Sequence, residues 1–242
     1  MTRKSWIGIL AVGALACFAL GTDTAQASKA KEFTSAFDLE GCTFSTTGQN
    51  QFFSLEPGHR LVLRGLEGKE QELVEVQITV TNDTESINMP GIGNITTRVI
   101  EERETADGVL VEVSRNFFAR CEQTNSVFYF GEAVDIFEED GSITHEGAWR
   151  AGVGGAQPGI IMPGEFLLGS RYYQEVAPGV AQDRAEHVRS GLTVNVPAGT
   201  FHNAVLVQET TPLERSISTK IYAPGVGLIV DGTIQLVEVV DP

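Results

Sequence analysis

From about residue 60 onward, apolar and polar residues alternate along the chain with a period of two. In Leu73–Val80 the apolar Val74, Val76, Ile78 and Val80 interleave with Glu75, Gln77 and Thr79, the pattern of a half-buried strand. Val109, Val111 and Val113 alternate with Leu110, Glu112 and Ser114 in a run ending near Arg120. Ser126–Phe130 and Val134–Phe137 read as further strands, and Asp140-Gly141 turns the chain into Ser142–His145. Later candidates are Leu167–Val176, His187–Val196, Asn203–Thr210, Ser216–Tyr222 and a terminal hairpin over Leu228–Val240 around Asp231-Gly232. Asp-Gly steps between alternating runs are strong hairpin signals.

The only helix the pattern offers is brief, at Ala181–Arg189. About ten short strands with turns between them predict an all-β fold, a single antiparallel barrel or half-barrel, with a β-sandwich as the alternative. One long Gly/Pro-rich tract, Gly147–Gly169, interrupts the alternation. A loop of that length is either lid-like or a crossover between sheets. The expected organisation is a signal peptide over residues 1–27 and one β-rich domain over residues 28–242.

The signal peptide follows from three parts: basic Arg3 and Lys4, an apolar run from Trp6 to Leu20, and an Ala25-Gln26-Ala27 cleavage motif. The apolar run is short for a membrane span, so no stable span is expected after processing. Lipidation at Cys17 is the rival reading, weakened by the poor motif Ala14-Leu15-Ala16 and by an apolar run that continues past Cys17. Cleavage leaves Cys42 and Cys121, and in an oxidising periplasmic or extracellular compartment such a pair reads as a disulfide. Closing so long a loop stabilises by about 4 kcal/mol. Two free thiols are the alternative.

Charge narrows the partners. With Lys+Arg 17 against Asp+Glu 32, the formal net charge is −15, and the resulting field repels nucleic acid and anionic membranes. The four histidines, His59, His145, His187 and His202, show no ligand spacing, so no metal or cofactor is implied. Acidic loops leave calcium open, though no segment fits an EF-hand. There is no G-x-S-x-G elbow, and the Gly-rich tract lacks a P-loop ending.

Eight segments, in order, carry a resemblance. They are Phe52–Gly58 (FFSLEPG), Thr97–Glu104 (TRVIEERE), Tyr129–Glu132 (YFGE), Gly147–Gly164, Arg171–Asp183 (RYYQEVAPGVAQD), Val196–Phe201 (VPAGTF), Thr210–Glu214 (TTPLE) and Lys220–Leu228 (KIYAPGVGL). Together they resemble a widespread group of exported bacterial all-β proteins, which implies the fold and export but no particular activity. The VPAGTF and YAPGVGL phrases are also similar to periplasmic half-barrels related to lipoprotein carriers, which hold acyl chains in an open concave sheet.

Candidate site residues come from charges inside apolar stripes. Arg115 shares a strand face with Val109, Val111, Val113, Phe117 and Ala119, while Glu132 shares one with Phe128 and Phe130. A hairpin around Glu122–Asn125 sets Arg115 and Glu132 opposite or one residue apart, as a structural ion pair or as the polar floor of an aromatic ligand cavity. A second stripe is Arg171, Tyr173 and Glu175, with Asp183 close enough in sequence to approach Arg171, and Trp149 lies on the flanking loop.

Three functions compete. The first is a binding protein for a small apolar or amphipathic molecule in a concave sheet. The second is a carboxylate-dependent hydrolase or lyase using Glu132, Glu175 or Asp183, which needs a strongly shifted pKa. The third is an envelope structural or assembly partner engaged through a sheet edge.

Overall fold

The computed structural model describes residues 32–242, so the signal segment and Cys17 lie outside the described residues. The long strands, in chain order, are β1 (Arg60–Glu67), β2 (Glu72–Met89), β3 (Gly93–Ala106), β4 (Val109–Cys121) and β5 (Val127–Phe137). Three shorter ones follow, β6 (Gln157–Met162), β7 (Arg171–Tyr173) and β8 (Glu175–Val176). The last five are β9 (Arg184–Val196), β10 (Gly199–Thr210), β11 (Ile217–Ala223), β12 (Gly227–Asp231) and β13 (Ile234–Val240). All lie in one 16-stranded antiparallel sheet, in the order β7-β9-β10-β11-β12-β13-β1-β2-β3-β4-β5-β6-β8. The fold is all-β, as the alternation predicts, and its sheet is not closed by hydrogen bonds.

Hairpin chemistry builds most of this order. β3 turns into β4 through Asp107-Gly108, both at positive φ (49° and 81°), which a two-residue turn of this hand requires. The predicted terminal hairpin forms as β12 and β13, with Asp231 opposite Ile234.

The two ends of the sheet order are consecutive in sequence. β7 pairs with β9, β8 pairs with β6, and Gln174 alone separates β7 from β8. A seam one residue wide therefore joins the first strand of the sheet to the last. The N-terminal segment straps it, since Thr34 donates to Arg171 O at 3.0 Å and accepts from Tyr173 N at 2.8 Å.

Two expectations change. No helix occurs among the described residues, and Ala181–Arg189 instead enters β9. There Ala185 and His187 are buried while Arg184 and Glu186 are only partly covered, which is the period of a strand. The Gly147–Gly169 tract remains largely irregular but contains Trp149–Arg150 and β6, both paired with β5. Its glycines allow backbones to touch: a Cβ on Gly159 would fall 2.3 Å from Tyr173 O, and one on Gly164 1.8 Å from Thr124 O.

Cys42 and Cys121 form the expected disulfide, with Cα atoms 5.1 Å apart. It ties the N-terminal segment to the end of β4 and sets Phe44 edge-on against Phe128 and Phe130, at 5.6 and 5.3 Å. These rings and Leu55, Phe117 and Val127 form the largest apolar cluster. Among the described residues, no helix is long and apolar enough to cross a membrane.

Candidate functional site

The inner face of the sheet is apolar across β13, β1 and β2, where Leu236, Leu63 and Val76 stand in one row, and polar beyond them. Register places Val76, Glu104 and Glu112 in one row across β2, β3 and β4, and Ile78, Glu102 and Ser114 in the next. Asn116 then stands opposite Glu132 of β5. On the other half, His187, Val207, Lys220 and Asp231 form a row across β9 to β12. The sheet curls enough for the Lys220 charge to act on Glu102, five strands away in the sheet order.

Lys220 Nζ lies 3.2 Å from Glu209 Oε2 and 3.6 Å from Asp231 Oδ2. Burial opposes its charge, but Asp231 and Glu209 outweigh that and hold its pKa well above the ordinary value. The carboxyls outnumber it. Burial first, then mutual repulsion, pushes Glu104 and Glu132 up to about 8. Glu102 rises to about 7 by burial, against the attraction of Lys220. Glu175, desolvated beside Asp183, is raised well above the usual range, and Asp183 reaches about 6 through burial of one flank and the Glu209 charge. Asp183 keeps its other flank in solvent.

Glu132 belongs to a ring of side-chain hydrogen bonds. Tyr129 Oη donates to Asn116 Oδ1 at 2.5 Å, and Asn116 Nδ2 donates to Ser114 Oγ at 3.1 Å. Glu132 bonds to both Ser114 and Tyr129. Both bonds favour the carboxylate and pull against the burial that raises Glu132. Trp149 lies opposite Glu132 in register and meets Tyr129 edge-on at 5.1 Å, with its buried Nε1 unpartnered.

At the far end of this face a recess of about 330 Å³ is lined by Phe52, Phe166, Leu167, Ser190 and Val205, among others. Phe166 stacks on His187 at 3.8 Å. Burial lowers His187 to about 4, so the ring is neutral; Nδ1 donates to Leu167 O and Nε2 accepts from Tyr172 Oη at 2.8 Å. Phe52, Val205, Val207 and Tyr222 belong to one apolar cluster, which brings the recess to the edge of the Lys220 row.

The structure separates several of the sequence candidates. Arg115 stands opposite Ala133, one residue from Glu132, and that single step puts the two on opposite faces. Arg115 is 38% exposed and bonds Asp135 Oδ2 at 2.7 Å, holding that carboxyl below its ordinary value. The expected Arg115–Glu132 pair is therefore corrected: β5 bulges at Phe130-Gly131, two residues opposite Phe117 with Gly131 at φ 149°, and the extra residue sets the register and turns Glu132 away from the face of Phe128 and Phe130. Arg171 bonds Glu186 at 2.7 Å rather than approaching Asp183. Tyr173 covers Arg184 together with Phe33. Phe128 and Phe130, expected to line a cavity, are packed against Phe44.

Glu132, Glu175, Asp183 and Trp149 do gather around the inner face. Sequence reasoning missed Glu102, Glu104, Glu209 and Lys220, although Glu102 and Glu104 alternate within β3 as inward residues should. Among the described residues, no three His, Cys, Asp or Glu side chains converge as ligands of a metal ion.

No protein-family model and no curated protein matches this chain. Among solved structures it is similar to "a putative lipoprotein from Parabacteroides distasonis ATCC 8503", with 12% identity and a TM-score of 0.37, over 80% of this chain and 100% of that one. That level of likeness defines neither a shared fold nor a shared activity.

Proposed function

We propose that this is an exported binding protein that holds a small amphipathic molecule against the concave face of its sheet. The observation that carries the reading is the juxtaposition of a recess of about 330 Å³, with Phe52, Phe166, Leu167 and Val205 beside Gln51, Glu165, Ser190 and Asn203, and a row of inward charged side chains. The apolar part of a ligand fits between Phe52, Phe166 and Val205, and its polar part reaches the carboxyls. The Cys42–Cys121 disulfide supports an oxidising compartment. Native mass spectrometry of protein isolated from its own envelope tests this, with a retained small molecule as the expected result. Ser190→Trp, at an exposed position on the rim, should fill the recess and abolish retention. A wild-type spectrum holding only the bare chain overturns the reading.

A carboxylate-dependent hydrolase or lyase is the second reading, favoured by one observation. Burial and the neighbouring carboxyls push Glu132 up to about 8, which leaves it neutral near pH 7, the state a general acid requires. Turnover of an ester or glycoside library that disappears in Glu132→Gln would support it.

A further inference from the structure

Around Gln174 the inner face offers acceptors and few hydrogen-bond donors. Gln174, 3% exposed at the seam, donates Nε2 to Glu209 Oε1 at 2.8 Å, while its Oε1 is buried with no partner. An amide carbonyl left this way costs about 1–3 kcal/mol of desolvation. Its neighbours are acceptors too: Glu175 Oε1 already takes Asp183 N at 2.6 Å, and Glu209 is shared between Gln174 and Lys220. Across the concavity stand four more carboxyls, Glu102 and Glu104 of β3, Glu112 of β4 and Glu132 of β5. With Glu175, Asp183, Glu209 and Asp231 on the opposite half they surround the ammonium of Lys220.

An anionic or purely accepting ligand would deepen this shortage. A neutral alcohol supplies one donor. A primary ammonium supplies three donors and a positive charge. Tyr129 and Trp149, packed edge to face at 5.1 Å beside Glu132, add aromatic surface of the kind that attracts organic cations. No three carboxyls close on a common metal position among the described residues, so directional N–H donors fit better than a bare metal ion.

We infer that the polar end of the ligand is an organic ammonium group, seated on the Gln174 carbonyl oxygen between Glu175 and Glu209 and facing Glu132. This rests on the concave face being the binding site for a small amphipathic molecule. The site selects alkylamines over fatty acids and alcohols of equal chain length.

Isothermal titration of the intact disulfide-bonded protein at pH 7.5 tests this with four probes: octylamine, octanoate, octanol and 1,4-diaminobutane. Octylamine should bind at least tenfold more tightly than octanoate or octanol. If octanoate or octanol binds as tightly, the ammonium inference falls while the amphipathic reading stands. If 1,4-diaminobutane binds and no octyl compound does, the ammonium inference stands and the amphipathic reading falls. If none binds, both fall. Gln174→Met should weaken octylamine at least fivefold and leave any octanol binding unchanged. Should that variant fail to fold, Glu132→Gln, at the carboxyl the ammonium faces, carries the same expectation, and unchanged octylamine affinity there counts against the inference.

Discussion

Tyr129 gives its hydroxyl proton to Asn116 Oδ1 across 2.5 Å, beside the buried carboxyl of Glu132. Burial and the charges of Glu102 and Glu112 keep that carboxyl protonated near neutral pH, against the pull of its bonds to Ser114 and Tyr129. Infrared spectra at pH 6.5 should therefore show a protonated-carboxyl band that is missing from Glu132→Gln, and it should fade around pH 8. A band unchanged by the substitution would contradict that state.

Replacement of Glu132 separates hydrogen bonding from charge. Glu132→Gln retains a donor for Tyr129 and should change stability at pH 6.5 by less than about 1 kcal/mol. Glu132→Leu leaves Tyr129 and Ser114 without their partner and should cost about 1–3 kcal/mol in urea unfolding. Arg115→Met, which removes only the partly exposed pair with Asp135, should cost about 0–1 kcal/mol.

Stability should fall as the pH rises from about 5 to 8.5. Folded Glu132 and Glu104 titrate near 8, whereas carboxyls in the unfolded chain titrate near 4.5. Between those limits the native state binds more protons, so raising the pH favours unfolding. The loss is on the order of a few kcal/mol, most of it from Glu132, because Glu104 is the less deeply enclosed. Lys220 does not counter it, since its raised pKa acts above the ordinary lysine range, whereas His187, lowered to about 4, offsets part of it below about pH 6.5. Urea midpoints at pH 5 and 8.5 measure the effect; a higher midpoint at 8.5 would refute it.

Loss of the disulfide should be costly in the same assay. Cys42 and Cys121 are 79 residues apart, and opening a loop of that size removes about 4 kcal/mol in the chain-entropy account. The double Cys42→Ser, Cys121→Ser variant should also free Phe44 to leave Phe128 and Phe130, so increased dye binding is expected.

Most of the fold was legible because alternation and turn chemistry are local. The β12–β13 hairpin and the Val109–Arg120 strand need nothing beyond neighbouring residues. The helix expected at Ala181–Arg189 failed because strand pairing of β9 with β10 and β7 overrides weak local preference. The site was half legible. Glu132 and Glu175 stand out as charges among apolar neighbours, but Glu102 and Lys220 become partners only through the curl of the sheet. The bulge at Phe130-Gly131, which turns Glu132 away from the face of Phe128 and Phe130, has no signal in the alternation, since one extra residue inverts every side chain beyond it.

The seam at Gln174 governs where the sheet first opens. Three residue pairs bind β7 to β9 and two bind β8 to β6, against eight in the β1–β2 ladder. Local opening starts where the fewest hydrogen bonds must break together. Parting there releases those five pairs and the two Thr34 bonds while the long ladders stay whole. Main-chain amides of β7 and β8 should therefore exchange with deuterium before those of β2 and β3.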